Sequence, residues 1–185
     1  MDASTFLSPV DTLRAAKLCE DMTVADFGAG SGHFTLAAAQ TVGNRASVWA
    51  VDGCKDFLSR IKNHATAAGL GNVEVVRGDV EKEGGSNLPA EHFDLVIMSN
   101  LLFAVKNKSA AIAEAYRVLR NGGRVLAIDW RDSFNCLGPH PDNVITADDA
   151  RDLFKSGGFS YVEDIPAGGY HWGFVVRKKP NYSAQ

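Results

Sequence analysis

Short apolar runs alternate with longer amphipathic stretches along most of this chain. Ser8-Pro9 reads as an N-cap followed by the first helical position, and opens a helix over "VDTLRAAKLC". "MTVADFG" is a short buried strand, and after a glycine turn "GHFTLAAAQTV" is a helix. "RASVWAVD" gives the next strand, ending on Asp52. "KDFLSRIKNHATAAG" places Phe57, Leu58, Ile61, Ala65 and Ala68 at helical spacing, with Gly69 as a stop. "NVEVVRGD" is a strand ending at Asp79, and the polar segment 80–91, with Gly84, Gly85 and Pro89, is mostly loop. "FDLVIMSN" reads as a buried strand and "KSAAIAEAYRVLRNGG" as a helix closed by Gly122 and Gly123. "GRVLAIDW" is a further strand, and the loop 131–144 holds Gly138, Pro139 and Pro141. Thr146 then caps the helix "ADDARDLFKSGG". "SYVEDI" and "HWGFVVRK" finish the pattern as strands.

Near-continuous apolar strands in repeated β–α order imply a mostly parallel sheet covered on both faces, hence an α/β, doubly wound fold of seven strands. The last two strands are joined by "PAGG", which is hairpin length, so one of them runs antiparallel at that edge. There is no internal repeat and no second domain. Residues 1–180 read as one domain and 181–185 as a frayed tail.

Composition narrows the function classes. A hydrophobic share of 45% and a charged share of 22% are ordinary for a globular chain. A net charge of -3 gives no general attraction to phosphate backbones or anionic membranes. Cys19, Cys54 and Cys136 are scattered and odd in number, which suits a reducing compartment. No run reaches membrane-spanning length and the N-terminus lacks a basic leader, so the expectation is cytoplasmic.

The glycine turn lies in "VADFGAGSGHF". A triphosphate-binding loop requires a Gly-Lys pair, and no lysine stands near. A dinucleotide fingerprint wants a third small residue where His33 stands. Asp52 at one strand end can accept from ribose hydroxyls, and Asp79 at the next from an adenine amino group. Acids at successive strand ends suit a nucleoside without phosphate, or one carrying positive charge.

At this point the chain resembles the class I S-adenosylmethionine-dependent methyltransferases, in the type 11 branch that includes ubiquinone/menaquinone enzymes. "VADFGAGSGHFTLAAA", "VWAVDGCKDFL", "VVRGDVEK", "FDLVIMSNLLF" and "AYRVLRNGGRVLAIDW" carry the likeness over roughly residues 5 to 130, in the family's order. The final helix and hairpin also fit. The resemblance implies a Rossmann-like sheet and S-adenosyl-L-methionine as cofactor, with S-adenosyl-L-homocysteine as product. It implies that Gly28, Gly30 and Gly32 let backbone approach the methionine part, while Asp26 holds its ammonium. Asp52 would bind the ribose diol, Gly53 and Cys54 would lie against the adenine, and Asp79 with the Val80 N–H would read its edge. Ser99 and Asn100 would border the sulfonium, beside an apolar wall of Leu101, Leu102 and Phe103.

The acceptor is less legible. "SNLLF" lacks the prolines typical of nucleic-acid base amino-methylation, no lysine tetrad is visible, and dispersed cysteines disfavour arsenite. Cys136 and His140 are too isolated to form a metal site. Candidates for acceptor-side chemistry are His33, Asn100, Asp129, His140 and His171, with Trp130 and Tyr170 as aromatic company and Trp172 as hairpin packing. Such a cluster would suit a flat or phenolic acceptor. Phe6 and the first helix are expected to cover the cofactor. A small-molecule acceptor is favoured by the acidic balance. A protein or RNA acceptor, a non-catalytic cofactor-binding regulator and a nicotinamide oxidoreductase stay open, as do monomer and homodimer.

Overall fold

The computed structural model describes residues 6–134 and 137–180. Cys136, the first five residues and the 181–185 tail lie outside the described residues. The elements are α1 (Pro9–Ala15), β1 (Val24–Phe27), α2 (His33–Val42), β2 (Val48–Asp52), α3 (Lys55–Ala67), β3 (Val73–Arg77), β4 (Phe93–Ser99), α4 (Lys108–Val118), β5 (Leu119–Trp130), α5 (Ala147–Ser156), β6 (Phe159–Asp164) and β7 (His171–Lys178). A 3-10 turn, Pro141–Asn143, interrupts the loop before α5.

The seven strands form one sheet in the order β3-β2-β1-β4-β5-β7-β6. The chain winds outward through β2 and β3, then returns across the sheet to place β4 on the other side of β1. β1 and β4 therefore flank the point where strand order reverses, and ligands gather at the C-terminal ends of strands there. β1 is buried at every position because helices cover both faces. Its period of two sends Ala25 and Phe27 into a core with α4 and α5, and Val24 into a second core with α1, α2 and α3. Asp26 falls on the α2 side, where Thr35 of α2 meets it.

The hairpin expected at the last edge is present, with β7 antiparallel to both β5 and β6. The reversed strand is the inner of the two, since β6 lies outside it. Its reversal has a geometric result: β7 begins at the edge where the parallel strands end.

Several boundaries differ from the sequence pattern. The Ser8 side chain caps α1 as expected, but the helix stops at Ala15 rather than running on to Cys19. Lys17 takes φ +59 and the Leu18 N–H bonds back to the Leu13 carbonyl, which turns the chain toward β1. In α3, Leu58, Ile61 and Ala65 are buried while Phe57 and Ala68 stay exposed, a narrower face than the spacing implied. α4 ends at Val118 rather than at the two glycines. Its last carbonyls, on Arg117 and Val118, are taken by the N–H groups of Glu91 and His92, and Leu119 already pairs with Phe93. β3 ends at Arg77, so Asp79 belongs to the loop that follows. Among the described residues, no helix is long and apolar enough to cross a membrane.

Candidate functional site

A cleft of about 710 Å³ opens at the C-terminal ends of β1 and β4. The glycine turn forms its floor. Gly28 has φ +68, and a Cβ there would fall 2.7 Å from Cδ1 of Leu101. Both backbone and space therefore demand glycine, and the peptide lies bare toward the cleft. Gly30 also lines the cleft, whereas Gly32 does not. Gly32 ends the turn as the left-handed N-cap of α2, and its missing side chain lets Ile61 of α3 pack close.

Asp26 stands beside this turn, 2% exposed, and receives a 2.6 Å hydrogen bond from the Thr35 hydroxyl. Burial pushes its pKa up to about 6, against the opposing pull of the Thr35 bond. Ser99 and Asn100 enter from the end of β4. Asn100 adopts φ +53, tolerable for asparagine, and its N–H bonds the Ile128 carbonyl at 2.9 Å. Its side-chain oxygen is buried and has no partner within the protein.

Asp52 reaches the same turn from β2. One carboxylate oxygen accepts from the Gly30 N–H at 2.9 Å and the other from the Cys54 N–H at 2.8 Å. Asp52 thus ties the glycine turn to the start of α3, where Cys54 is the exposed N-cap. Gly53 accepts from the Arg77 side chain. Asp52, Gly53, Cys54, Asp79 and Val80 lie outside the enclosed cleft, on the loops after β2 and β3. Asp79 pairs with Lys82 at 2.7 Å, and that hydrogen bond lowers its pKa. The Val80 side chain is buried in the core.

The loop carrying Asp79 and Val80 is held by a feature that motif reading missed. Glu114 of α4 is 1% exposed; its carboxylate accepts from the N–H groups of Gly84 and Ser86, the Ser86 hydroxyl and the Arg117 guanidinium. Arg117 also donates to the Leu88 carbonyl. The visible signal was a glutamate inside the otherwise apolar face of "AAIAEAYRV", three residues before an arginine.

The acceptor-side candidates divide. His33 lines the cleft from the first position of α2, its ring 3.3 Å from the Ser31 hydroxyl. His171 lines it from the start of β7, against the ring of Trp130 at 4.3 Å. Phe6, Leu7, Pro9 and Val10 also line the cleft, with Phe6 packed on Tyr170, the residue before His171, at 5.7 Å. His140 does not join them. It is exposed on the loop before α5, where it caps the 3-10 turn and faces Asp142, because a short helix start draws its ring to its own backbone. Asp129 is also absent from the cleft wall. It is fully buried, and its carboxylate accepts from the N–H groups of Phe103 and Trp130. Burial raises its pKa to about 6. Its neighbours are the turn that follows β4 rather than open space. Trp172 stacks on Phe174 and donates to the Ile145 carbonyl, as hairpin packing should.

Comparison with known proteins agrees with this geometry. A family profile described as a methyltransferase domain matches residues 18–164. An arsenite methyltransferase of Halobacterium salinarum is 28% identical over 165 residues, which are 82% of this chain and 40% of that one. A ubiquinone/menaquinone biosynthesis C-methyltransferase of Shewanella pealeana is 31% identical over 120 residues, 64% of this chain and 47% of that one. The chain thus spans less than half the length of either relative. A crystal structure of a SAM-dependent methyltransferase from Aquifex aeolicus superposes with a TM-score of 0.85 at 24% identity, covering 95% of this chain and 93% of that one. A profile match of that extent, on a sheet that reverses its order where the glycine turn lies, fixes the family: the chain belongs to the class I S-adenosylmethionine-dependent methyltransferases, with S-adenosylmethionine as cofactor.

Proposed function

We propose that this chain transfers a methyl group from S-adenosylmethionine to a small-molecule acceptor held between the glycine turn and the Trp130–His171 wall. The observation that carries the reading is the convergence of Asp26, the bare turn at Gly28 and the unpartnered Asn100 oxygen in one cleft. Those groups fit the amino-acid end of the cofactor. A cationic ammonium placed near Asp26 would offset the burial that now raises its pKa, and the Asn100 oxygen is an acceptor awaiting a donor.

When bound, the cofactor supplies an electrophilic methyl whose bond to sulfur breaks, leaving the electron pair on sulfur, as the acceptor's lone pair forms the new bond. The protein's part is alignment and exclusion of water. Gly28 and Gly30 admit the amino-acid portion against main chain. Asp52, already fixed by two backbone N–H groups, keeps lone pairs free for the ribose hydroxyls. The loop after β3 brings Asp79 and the Val80 N–H to the adenine side, with Gly53 and Cys54 along its face. Ser99 and Asn100 bound the region of the transferred methyl.

Small-molecule chemistry is named for both relatives above, arsenite for one and ubiquinone/menaquinone biosynthesis for the other. Of the three cysteines, Cys19 and Cys54 lie within the described residues. Cys19 precedes β1, at the sheet end opposite the cleft, while Cys54 follows β2, so these two thiols cannot share one arsenic.

Calorimetry with S-adenosylhomocysteine tests the cofactor half. Asp52→Ala is expected to weaken binding at least about tenfold, since buried hydroxyls lose their acceptor. Wild-type affinity in that variant, or absence of labelled-methyl transfer to every small-molecule fraction of a lysate, would refute the proposal.

A further inference from the structure

Two polar groups in the cleft are left incomplete by the protein itself. One is the Asn100 oxygen, accounted for above by the cofactor. The other is His171, which is 5% exposed and has neither ring nitrogen hydrogen-bonded to the protein. A buried polar group without a partner is costly, so an imidazole with two such nitrogens on a cleft wall marks a place where something else binds.

The surroundings restrict what that is. Trp130 packs on the imidazole and Phe6 lines the same cleft beside Tyr170, so the body of the ligand is apolar and ring-like. Among the described residues, no lysine or arginine lines this cleft. Arg131 comes near but donates its Nε and one terminal nitrogen to the His171 carbonyl, and with Arg151 and His171 itself it borders a second cavity of about 510 Å³. On the Trp130 side, the walls of the first cleft therefore offer no cation to a carboxylate or phosphate. Among the described residues Asp26 is the one carboxylate on the wall, and it stands with Thr35 on the glycine-turn side, where the cofactor's ammonium claims it.

The imidazole is itself uncharged near neutral pH, since burial and then the Arg131 charge lower its pKa to about 4. A neutral imidazole offers one N–H and one lone pair. The two ring nitrogens point to different sides of the ring, so a hydroxyl, able to donate or accept, completes whichever one it reaches, whereas a thiol is a weak donor and a weak acceptor. The geometry points to His171 and Trp130 as the acceptor-recognition subsite, selecting a neutral ring compound that bears a hydroxyl. The inference rests on the transfer reading above and adds the chemical class of the acceptor.

The test uses protein saturated with S-adenosylhomocysteine and four matched probes: p-cresol, thiocresol, p-toluate and toluene. Calorimetry should rank p-cresol about tenfold tighter than the other three, the worth of one buried hydrogen bond. The nitrogen-15 resonances of the His171 ring, assigned by their loss in His171→Phe, should move on adding p-cresol and stay in place with toluene. His171→Phe should erase the preference for p-cresol while leaving toluene binding unchanged. A preference for p-toluate or thiocresol, or p-cresol binding that leaves the His171 nitrogens unmoved, would overturn the inference; the resonance measurement needs only the wild-type fold once assignments exist. Failure of S-adenosylhomocysteine to bind would instead overturn the transfer reading, so the two failures are distinguishable.

Discussion

Replacing Glu114 by alanine removes the side chain on which the loop between β3 and β4 is hung. The carboxylate is fully buried, and its loss strands the Gly84 and Ser86 N–H groups, the Ser86 hydroxyl and one side of the Arg117 guanidinium. Breaking a buried, hydrogen-bonded ion pair on one side costs about 3–5 kcal/mol, much of it from the partner left uncompensated. For a chain of this size each kcal/mol moves the melting midpoint by roughly 2–4 °C, so the midpoint should fall by roughly 6–20 °C. Glu114→Gln keeps the shape but turns an amide N–H toward Arg117, and should fall between wild type and alanine.

An acid limb should accompany this loss. Burial alone would raise the Glu114 pKa, but the bonds from Arg117 and Ser86, then those from the two backbone N–H groups, outweigh it and hold it at about 2, below the ordinary 4.5. The stabilisation is therefore complete above pH 4.5 and is lost as pH falls from there toward 2. Thermal melts of wild type and Glu114→Gln across that window should converge as pH drops. A midpoint for Glu114→Ala within a degree or two of wild type at neutral pH would refute the reasoning, as would parallel acid limbs.

Two further outcomes follow from the glycine turn and its acid. Gly28→Ala must hold φ +68 with a Cβ 2.7 Å from Leu101, so it should lose S-adenosylhomocysteine binding in calorimetry. The double variant with Leu101→Ala should recover only part of it, because the left-handed backbone still costs about 1–2 kcal/mol; full recovery would show that space alone mattered. Asp26 carries a pKa raised from 3.8 to about 6, so the native state keeps a proton that the unfolded state has released, and wild-type stability falls as pH rises through that interval. Asp26→Asn should abolish that fall in pH-dependent melts. In wild type, S-adenosylhomocysteine affinity should drop about tenfold between pH 7 and pH 5, as the ionised fraction of Asp26 declines, and a flat profile would show that the ammonium does not use this carboxylate.

The sheet and its winding were legible because β1, β4 and the middle of β5 are apolar runs too short for helices, each followed by a helical period. What patterning could not show was where backbone hydrogen bonds stop. α4 reads as a helix through "LRNGG" because leucine and arginine are good helix formers, yet Glu91 and His92 claim its terminal carbonyls and pull Leu119 into the sheet. The glycine turn and Asp52 stood out by their place at strand ends, whereas Asp26, inside β1, was reached only through the family resemblance. Asp129 and His140 were chosen by residue type and loop position, and neither lines the cleft. The Asp129 carboxylate turns toward the backbone after β4, and His140 caps its own 3-10 turn. Glu114 escaped notice because the loop groups it holds, on Gly84 and Ser86, lie 30 and 28 residues earlier, a distance no local pattern spans.

The reversed direction of β7 has a consequence for how such a site can diversify. Everything proposed to hold the cofactor comes from the stretch between β1 and the end of β4. The wall proposed for the acceptor comes from the end of β5, the beginning of β7 and the segment around Phe6. One continuous stretch thus carries the first task and flanking segments on either side of it carry the second, joined by one row of strand ends. Substitutions around Trp130 and His171 can change which molecule is methylated while the seat of the methyl donor remains as it was.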